Sequence, residues 1–387
     1  MHIILFSHPN FLNSQSMPRF ATMIQTGMHE RGHIIESWTA KPIFYKIPAP
    51  QKIKKWLGYI DQYIIFPIKV KWKVRNLSTD ILFLFSDQAL GPWVPLVASR
   101  PHIIHTHDFM ALRSALGHFA QNPTSWTGRL YQYFIRRGFG KGKNFISVSE
   151  NTRNDLHHFL PQKPKISDVI YNGLNFPYHH MDRTECENAL RSSGFTLPPN
   201  GFLLHVGGNQ WYKNREGVIE IYLEYSKNTK NPLPLWMIGD PPTENIKKIA
   251  QKANGTAEIR FITGLSNEQL CAAYSTARLL LFPSLAEGFG WPIAEAMSCG
   301  CLVLTTNQAP MTEVGGNAAF YIQPKPILDQ EDWAVQSARH ISDILSLSAD
   351  ETYARQKEGY KQVKKFDTKK TLDAYEFIYK KVARGVQ

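Results

Sequence analysis

Residues 278–304 read RLLLFPSLAEGFGWPIAEAMSCGCLVL. The apolar run that opens this stretch and ends at Ser284 predicts a buried strand. Pro292 suits the first turn of a helix, where a missing N–H costs nothing, and Gly300 can end that helix. Cys301–Leu304 predicts a second strand. A strand, a glycine-containing loop, a helix and another strand form the repeating unit of a doubly wound parallel sheet.

The loop in this stretch carries two carboxylates, Glu287 and Glu295, which stand eight positions apart. Between them lie Gly288, Phe289 and Gly290. In doubly wound sheets ligands bind beyond the carboxyl ends of the strands, and backbone N–H groups at a helix N-terminus bind anions. These residues therefore suit a sugar nucleotide. The alternative is that Glu295 only complements the helix dipole and that the glycines only turn the chain.

The segment 259–322 resembles the signature of the family 4 glycosyltransferases, which have the two-domain GT-B fold and retain the anomeric configuration of the transferred sugar. The resemblance implies that Glu295 holds the ribose hydroxyls of a nucleotide-sugar donor. It also implies that Glu287 and the loop amides of residues 288–290 face the transferred sugar. Trp291 stands where relatives more usually have Leu.

Length and composition predict two α/β domains, because 387 residues with 43% apolar content exceed one ordinary domain and suffice for two cores. By the resemblance these are two Rossmann-like, doubly wound parallel-sheet domains that face a central cleft. The N-terminal acceptor domain is expected to span residues 1–173 and the nucleotide-sugar donor domain 174–368. A last helix over 369–387 is expected to cross back to the first domain.

Short apolar runs bounded by turn residues predict the strands of both domains. They are residues 2–7, 33–38, 81–85, 103–106 and 145–148, then 202–207, 235–238, 259–262, 278–284 and 301–304. The terminal helix is predicted to be amphipathic. Its expected apolar residues are Leu372, Tyr375, Phe377, Ile378 and Val382.

The loop after residues 202–207 offers a second group of binding residues. Gly207 and Gly208 end the strand and bring backbone amides to the loop, and Lys213 offers a positive charge. The resemblance implies that Lys213 serves the leaving diphosphate. Gly208 stands where relatives have Arg, so Arg215 is an alternative source of a second charge. The other interpretation of Lys213 is a solvated surface side chain.

His105, His107 and Asp108 end a predicted strand of the first domain. Two His residues with one residue between them can bind a metal. The resemblance implies instead that no metal takes part, that His107 contacts the donor sugar and that Asp108 continues the same motif. His105 is expected to be structural.

Two further segments carry candidate residues. Ser14, Ser16 and Arg19 stand where many relatives have Gly-Gly, and they either offer side-chain donors to the acceptor or donor, or form an N-cap and a surface Arg. Glu313 lies in a stretch that resembles the Pro-Glu-Val segment of the family. It either lines the donor pocket or merely sits beside an N-cap at Thr312.

Positive charge is concentrated in the first half. Residues 1–170 hold 21 Lys and Arg against 9 Asp and Glu, which accounts for the whole net charge of +12. Within them, segment 41–77 mixes Lys with Trp, Tyr and Ile, which suits an anionic membrane surface. The alternative is a helix that packs on its own domain. No RNA-binding motif accompanies the charge, so nucleic acid is not expected as a partner.

Four cysteines and the lack of a run of about 18 apolar residues predict a cytoplasmic protein. Segment 41–77 adds the option of a peripheral position on the inner face of the membrane. The resemblance implies a retaining, metal-independent hexosyltransferase. It would use a UDP- or GDP-sugar and no further cofactor, and it would act on a glycan, glycolipid or lipid-linked acceptor in cell-surface polysaccharide or glycolipid biosynthesis. The alternatives are a sugar-nucleotide epimerase on the same fold and a non-catalytic glycan- or lipid-binding protein. No GlyXaaGlyXaaXaaGly follows the first strand of either domain, which argues against a nicotinamide dehydrogenase.

Overall fold

The structure, a computed structural model, describes residues 1–11, 16–191, 194–253, 255, 257–328 and 330–385, without the side chain of residue 16. Ser14 and the Ser16 side chain therefore lie outside the described part of the chain. The chain divides into two compact units. Met1–Asn175 with Thr368–Gln387 form the first unit, and Phe176–Asp367 form the second.

The first unit is built on a six-stranded sheet. Its strands are β1 His2–Phe6, β2 Ile34–Trp38, β3 Leu82–Phe85, β4 His102–Thr106, β5 Asn144–Ser147 and β6 Ile166–Val169. Their spatial order is β2-β1-β3-β4-β5-β6, and every neighbouring pair is parallel. The five strands predicted for this unit are confirmed to within one residue at each end. β6 was not predicted, because its sequence, Ile-Ser-Asp-Val, is an only half-buried edge strand.

Helices cover both faces of this sheet. They are α1 Ser16–Glu30, α2 Gln51–Ile60, α3 Phe66–Arg75, α4 Met110–Ala115, α5 Trp126–Phe139 and α6 Glu150–Phe159. One π-helical turn, Asp61–Ile65, joins α2 to α3, so most of segment 41–77 is a continuous helical segment. The buried Asp61 carboxylate accepts the backbone N–H groups of residues 43, 44 and 45 at 2.9–3.0 Å, which fastens the start of the segment to its helix.

The strands are apolar on both sides because each side faces a layer of helices. Ile3 and Leu5 of β1 lie in the core that includes α1. Ile4 and Phe6, which alternate with them, lie in the opposite core with Phe139 of α5. The apolar run therefore fixes a buried central strand, and its carboxyl end is left at the edge where ligands bind in such sheets.

The second unit repeats this architecture. Its strands are β7 Leu203–Gly207, β8 Leu235–Gly239, β9 Ile259–Ile262, β10 Leu279–Phe282, β11 Leu302–Thr306 and β12 Phe320–Ile322. Their order is β12-β11-β10-β7-β8-β9, and all pairs are parallel. The five predicted strands are confirmed to within two residues. Two parallel six-stranded sheets with helices on their faces are the Rossmann-like pair expected of the fold class.

The helices of the second unit are α7 Arg183–Arg191, α8 Arg215–Lys227, α9 Glu244–Ala250, α10 Asn267–Thr276, α11 Trp291–Ser298, α12 Met311–Gly315, α13 Gln330–Leu345 and α14 Ala349–Val363. The interpretation of Thr312 as an N-cap is wrong. The capping position of α12 is Pro310, and Thr312 lies inside the helix.

The last helix, α15, spans Thr368–Ala383 and packs against α1 and the first sheet. Tyr375, Ile378 and Tyr379 are buried there. The prediction that Phe377 belongs to the apolar face is wrong, because Phe377 is 69% exposed. Two residues after Tyr375, it points to the opposite side of a helix with 3.6 residues per turn. Within the described residues, no helix is both long and apolar enough to cross a membrane.

Candidate active site

The loops that follow two neighbouring strands of the second unit, β7 and β10, meet at the carboxyl edge of the sheet. Lys213 follows β7 and Glu287 follows β10. Lys213 Nζ lies 2.8 Å from Glu287 Oε1, and the two side chains are only 15% and 7% exposed. The structure therefore joins two of the predicted site residues, 74 positions apart, in a largely buried ion pair.

The ion pair is held by its surroundings. Ser284 Oγ donates a second hydrogen bond to Glu287 Oε1 at 2.8 Å. The Lys213 ammonium lies over the rings of Phe282 and Tyr212, at 5.1 and 5.5 Å from their centroids, which adds cation–π attraction. The two charged groups are thus held in place by contacts within the second unit.

Arg215 supports this loop from below. Its guanidinium is 3% exposed, and Nη1 donates to the Asn209 side chain and, at 2.8 Å, to the Asp240 carbonyl. Burial lowers the pKa of Arg215, and the nearby Asp240 partly offsets this. A guanidinium in this position stabilises the loop. Its buried Nε and Nη2 have no hydrogen-bond partner among the described residues.

Gly208 occupies the position where relatives have Arg, and its surroundings are crowded. A Cβ at this position would lie 2.5 Å from Asp240 Oδ2 and 2.6 Å from Gln210 Oε1. Asp240 Oδ2 in turn accepts the backbone N–H of Asn209 at 3.0 Å. The close approach of Asp240 to the loop therefore takes the space that a larger side chain at position 208 needs.

Gly207 ends β7 beside a buried histidine. His205 Nδ1 donates to the Leu281 carbonyl at 2.9 Å, and burial lowers the pKa of His205 to about 3, so its ring is neutral. A Cβ at Gly207 would lie 3.0 Å from His205 Nε2. A larger residue at this position would require the ring or the loop to shift by a few tenths of an ångström.

Glu295 lies on α11, which begins after Gly290 in a left-handed conformation with φ +99°. Its Oε2 accepts a hydrogen bond of 2.8 Å from the hydroxyl of the fully buried Tyr274. Burial and the Glu295 charge raise the pKa of Tyr274 well above its usual value, so Tyr274 stays a donor. This contact fixes the orientation of the Glu295 carboxylate. Glu313 lies in the first turn of α12, and its carbonyl accepts from Gln362 at 2.9 Å.

In the first unit, His107 lies just beyond β4. Its Nε2 donates to the Ser86 carbonyl at 2.9 Å, which leaves Nδ1 with a lone pair. Burial lowers the pKa of His107, although Asp87 and the Ser86 carbonyl oppose this, so the ring is a neutral acceptor.

His105 and Asp108, on either side of His107, make contacts within the first unit. His105 is fully buried, and its Nε2 lies 2.7 Å from the Tyr379 hydroxyl on α15, as expected of a structural residue. Asp108 Oδ1 accepts the backbone N–H of Met110 at 3.0 Å, at the start of α4. Arg19 is exposed on α1.

Sequence patterning did not identify a further pair at this edge. His8 follows β1, Asp87 follows β3, and His8 Nε2 lies 2.8 Å from Asp87 Oδ2, with side chains 15% and 11% exposed. Burial raises the pKa of Asp87, but the hydrogen bond from His8 and the electrostatic influence of the two nearby histidine rings outweigh burial, so the pKa lies below its usual value. The signal that could have found the pair is its position, since both residues come within two positions of the end of a predicted strand.

His107 belongs to the first unit and Lys213, Glu287 and Glu295 to the second. Their convergence across one cleft stays a prediction. Among the described residues, no cluster of three or more His, Cys, Asp or Glu side chains is arranged to hold a metal ion.

Charged and polar side chains lie at the carboxyl ends of the strands in both doubly wound sheets. This arrangement is typical of α/β proteins that bind ligands at that edge. The model for "Glycosyltransferase Family 4" matches residues 19–176, and the model for "Glycosyl transferases group 1" matches residues 192–363, which include Lys213, Glu287 and Glu295. The chain belongs to the family 4 glycosyltransferases of the GT-B fold.

Curated relatives resemble parts of the chain. It is 30% identical over 201 residues to O-antigen chain mannosyltransferase B of Escherichia coli, covering 51% of this chain and 52% of that protein. It is 22% identical over 229 residues to O-antigen chain mannosyltransferase RfbU of Salmonella typhimurium (58% and 59%). A match to mannosyltransferase WbdA of Escherichia coli, 29% identical over 34% of this chain, covers 17% of that longer protein. The chain thus spans about half the length, or less, of these relatives.

Solved structures share the fold along the whole chain. Sucrose-phosphate synthase from Thermosynechococcus elongatus superposes with a TM-score of 0.74 at 16% identity, covering 100% of both chains. WaaG, a glycosyltransferase involved in lipopolysaccharide biosynthesis, gives a TM-score of 0.71 at 16% identity, covering 98% of this chain and 99% of that one. At such identities the likeness concerns the fold alone.

Proposed function

We propose that the protein is a glycosyltransferase that moves a hexose from a nucleotide-diphosphate sugar to a glycan, glycolipid or lipid-linked acceptor in cell-surface polysaccharide or glycolipid biosynthesis. The observation that carries this is the ion pair of Lys213 and Glu287, which lies within the same matched segment 192–363 as Glu295 and the Tyr274 hydroxyl that donates to Glu295. The mannosyltransferase relatives make GDP-mannose the first donor to test, followed by UDP-hexoses.

The second unit holds the donor in this proposal. Glu295 accepts hydrogen bonds from the ribose hydroxyls, while Glu287 and the amides of residues 288–290 contact the hexose. As the bond from the sugar C1 to the diphosphate oxygen breaks, negative charge develops on the diphosphate. Lys213 and the loop amides stabilise that charge, and a charge already in place costs no reorganisation.

Transfer proceeds on the face that the diphosphate leaves, so the anomeric configuration is retained. The acceptor oxygen bonds to C1, and its proton passes to the departing diphosphate oxygen. No carboxylate nucleophile and no metal are assigned to this step. The first unit presents the acceptor, and the neutral Nδ1 of His107 accepts a hydrogen bond from a hydroxyl of the donor sugar.

Acceptor-dependent release of nucleoside diphosphate tests the function. We expect release from GDP-mannose or a UDP-hexose only when a glycoside acceptor is present. An epimerase would instead release a free sugar without any acceptor, and a non-catalytic binder would release nothing. Failure of GDP and UDP to raise the melting temperature would contradict a donor site.

Glu295→Ala tests the donor site itself. Loss of a carboxylate that bonds two ribose hydroxyls is expected to raise the donor Kd about tenfold or more, since hydrogen bonds to a charged group are worth about 1.5–3 kcal/mol. Glu220→Ala is the matched control, because it removes an ion pair of 2.6 Å with Lys325 elsewhere in the same unit. Equal donor affinity in both variants would count against the ribose role.

We further propose that the first unit contacts an anionic membrane surface through segment 41–77 together with α5. Trp56, Trp72 and Trp126 are 58%, 67% and 74% exposed. The only acidic residue of the segment is the buried Asp61, and residues 109–149 hold six Lys and Arg with no Asp or Glu. Exposed aromatic side chains in a cationic field suit the interface of anionic lipid.

The exchange of six lysines tests the membrane contact. They are Lys52, Lys54, Lys55, Lys69, Lys71 and Lys73, all changed to Gln. This variant is expected to lose binding to anionic vesicles, measured by cosedimentation. The control changes six lysines of the second unit and so alters net charge equally. These are Lys227, Lys230, Lys247, Lys248, Lys252 and Lys361. Equal vesicle binding by both variants would refute the contact.

A further inference from the structure

Three polar side chains follow three adjacent strands at the carboxyl edge of the first sheet. His8 follows β1, Asp87 follows β3 and His107 follows β4. The resemblance assigns a role only to His107. The pair of His8 and Asp87 has a separation of 2.8 Å, and both side chains are mostly sheltered yet reach the surface.

The hydrogen bonds decide which ring atoms of the two histidines are available. Since a carboxylate only accepts, His8 Nε2 carries the proton that Asp87 Oδ2 receives. Neutral His8 therefore has its lone pair on Nδ1. His107 is in the same state, because Ser86 accepts from its Nε2. Among the described residues neither Nδ1 has a hydrogen-bond partner, and neither is among the buried unpartnered atoms.

Asp87 is fixed on both sides. Its Oδ1 accepts the backbone N–H of Ala89 at 3.0 Å and so caps the short helix over residues 88–96, while its Oδ2 holds His8. The carboxylate therefore determines both the orientation and the tautomer of the His8 ring. Such a carboxylate–imidazole pair is suited to present one hydrogen-bond acceptor in a defined direction.

We propose that His8 Nδ1 accepts a hydrogen bond from a hydroxyl group of the acceptor saccharide, and that Asp87 is the positioning residue that orients the ring and accepts the hydrogen bond of its Nε2–H. This inference rests on the proposed glycosyl transfer and names its acceptor-side contact. The hydrogen bond fixes the acceptor. The proton of the attacking hydroxyl still leaves with the diphosphate.

Two variants separate this role from a structural one. His8→Ala removes the acceptor atom and leaves the Asp87 cap intact. Asp87→Asn keeps the cap, because Asn caps helices as well as Asp does, but its amide nitrogen would donate to Nε2 and force the proton onto Nδ1. Each variant is expected to raise the acceptor KM about tenfold, the equivalent of one hydrogen bond, with the donor KM unchanged. The double variant should be no worse than either alone, because both remove one interaction.

The control lies at the other end of the same strand. His2 Nε2 lies 3.0 Å from Glu36 Oε1, a comparable pair at the amino end of β1. His2→Ala is expected to leave the acceptor KM within about twofold of the unchanged protein, since exposed pairs contribute little.

The assay measures release of GDP or UDP from GDP-mannose and UDP-hexoses at mildly alkaline pH. The acceptors are the methyl glycosides of mannose, glucose, galactose and N-acetylglucosamine. If the unchanged protein transfers and both variants keep its acceptor KM, the inference about His8 is overturned while glycosyl transfer stands. If the unchanged protein neither transfers nor binds a nucleotide, both fall. Melting curves check that each variant is folded. If Asp87→Asn has a clearly lower melting temperature than the unchanged protein, the acceptor KM of His8→Ala alone tests the inference.

Discussion

Glu287→Gln is expected to tighten binding of a nucleoside diphosphate while it weakens sugar transfer. The Lys213 ammonium lies 2.8 Å from the Glu287 carboxylate, so a bound diphosphate would share the ammonium with Glu287. A diphosphate oxygen that bonds the same ammonium would lie about 5–6 Å from that carboxylate, where two negative charges repel by about 3 kcal/mol at an effective dielectric constant of about 20. Gln keeps the volume of Glu and can still accept from Ser284 and Lys213, but it carries no charge.

The expected gain is smaller than this bare repulsion. The Lys213 side chain is 15% exposed, so water and salt screen the site. We expect about 1 kcal/mol, which corresponds to about a fivefold lower Kd for GDP or UDP. The transfer rate should fall in the same variant, because Glu287 is proposed to contact the hexose.

Calorimetric titration with GDP and UDP at low and high salt measures the effect, which should shrink as salt rises. Lys213→Met should weaken binding, and in that background Glu287→Gln should bring a gain at least as large, because the repulsion between the carboxylate and the diphosphate does not depend on the ammonium. Glu220→Gln removes one negative charge from the pair with Lys325 and serves as the control for net charge. The reasoning is wrong if Glu287→Gln weakens nucleotide binding, or if its gain is the same at low and high salt.

Three further outcomes follow from single contacts of the second unit. Tyr274→Phe removes the hydroxyl that donates to Glu295 and should raise the donor Kd about threefold to tenfold. Tyr222→Phe removes a hydroxyl bonded to the Glu258 backbone and should leave the donor Kd unchanged, and titration calorimetry checks both variants. His205 is neutral with a pKa of about 3, so the folded form loses stability as pH falls from about 6.5 toward 3, by about 1.4 kcal/mol per pH unit; His205→Gln should flatten this slope in urea unfolding. At Gly239, φ is +143° and an added Cβ would lie 2.1 Å from the Gly207 carbonyl oxygen, so Gly239→Ala should lower the free energy of unfolding by about 3 kcal/mol and disturb nucleotide binding. At Gly264, φ is +76° and no atom lies near, so Gly264→Ala should lower it only by the backbone strain of about 1 kcal/mol.

The sequence predicts the two sheets well because their central strands are buried on both faces. Such strands are mostly apolar, so runs such as 279–282 and 82–85 stand out from their surroundings. The meeting of Lys213 and Glu287 was expected for another reason, because the family resemblance assigns both residues to the donor site. The strand patterns alone do not show that β7 and β10 are neighbours.

Pairings that depend on strand order could not be predicted in this way. His8 and Asp87 lie 79 positions apart, and they meet because β3 pairs with β1 on the side away from β2. No local pattern encodes that order. The exposure of Phe377 was also missed, although the helical spacing of Leu372, Tyr375 and Ile378 places Phe377 off their shared face.

The first unit separates its positive charge from its proposed sugar-binding edge. The edge presents His8, Asp87 and His107, which are hydrogen-bond acceptors or a negative charge. The lysines that account for much of the excess charge stand on α2 and α3, and all of them except the half-buried Lys54 are exposed to solvent. A saccharide hydroxyl needs an oriented acceptor, whereas an anionic surface needs only density of charge.

The two functions should therefore be separable in one experiment. The variant with six Lys→Gln exchanges in segment 41–77 should lose binding to anionic vesicles but transfer hexose to a soluble methyl glycoside at a rate within about twofold of the unchanged protein, since exposed charges act weakly at a distance in salt. His8→Ala should show the reverse, with full vesicle binding and a raised acceptor KM. A lysine variant that loses transfer to the soluble acceptor while keeping its melting temperature would mean that these lysines bind the substrate itself, and the division between a charged surface and a neutral sugar site would then be wrong.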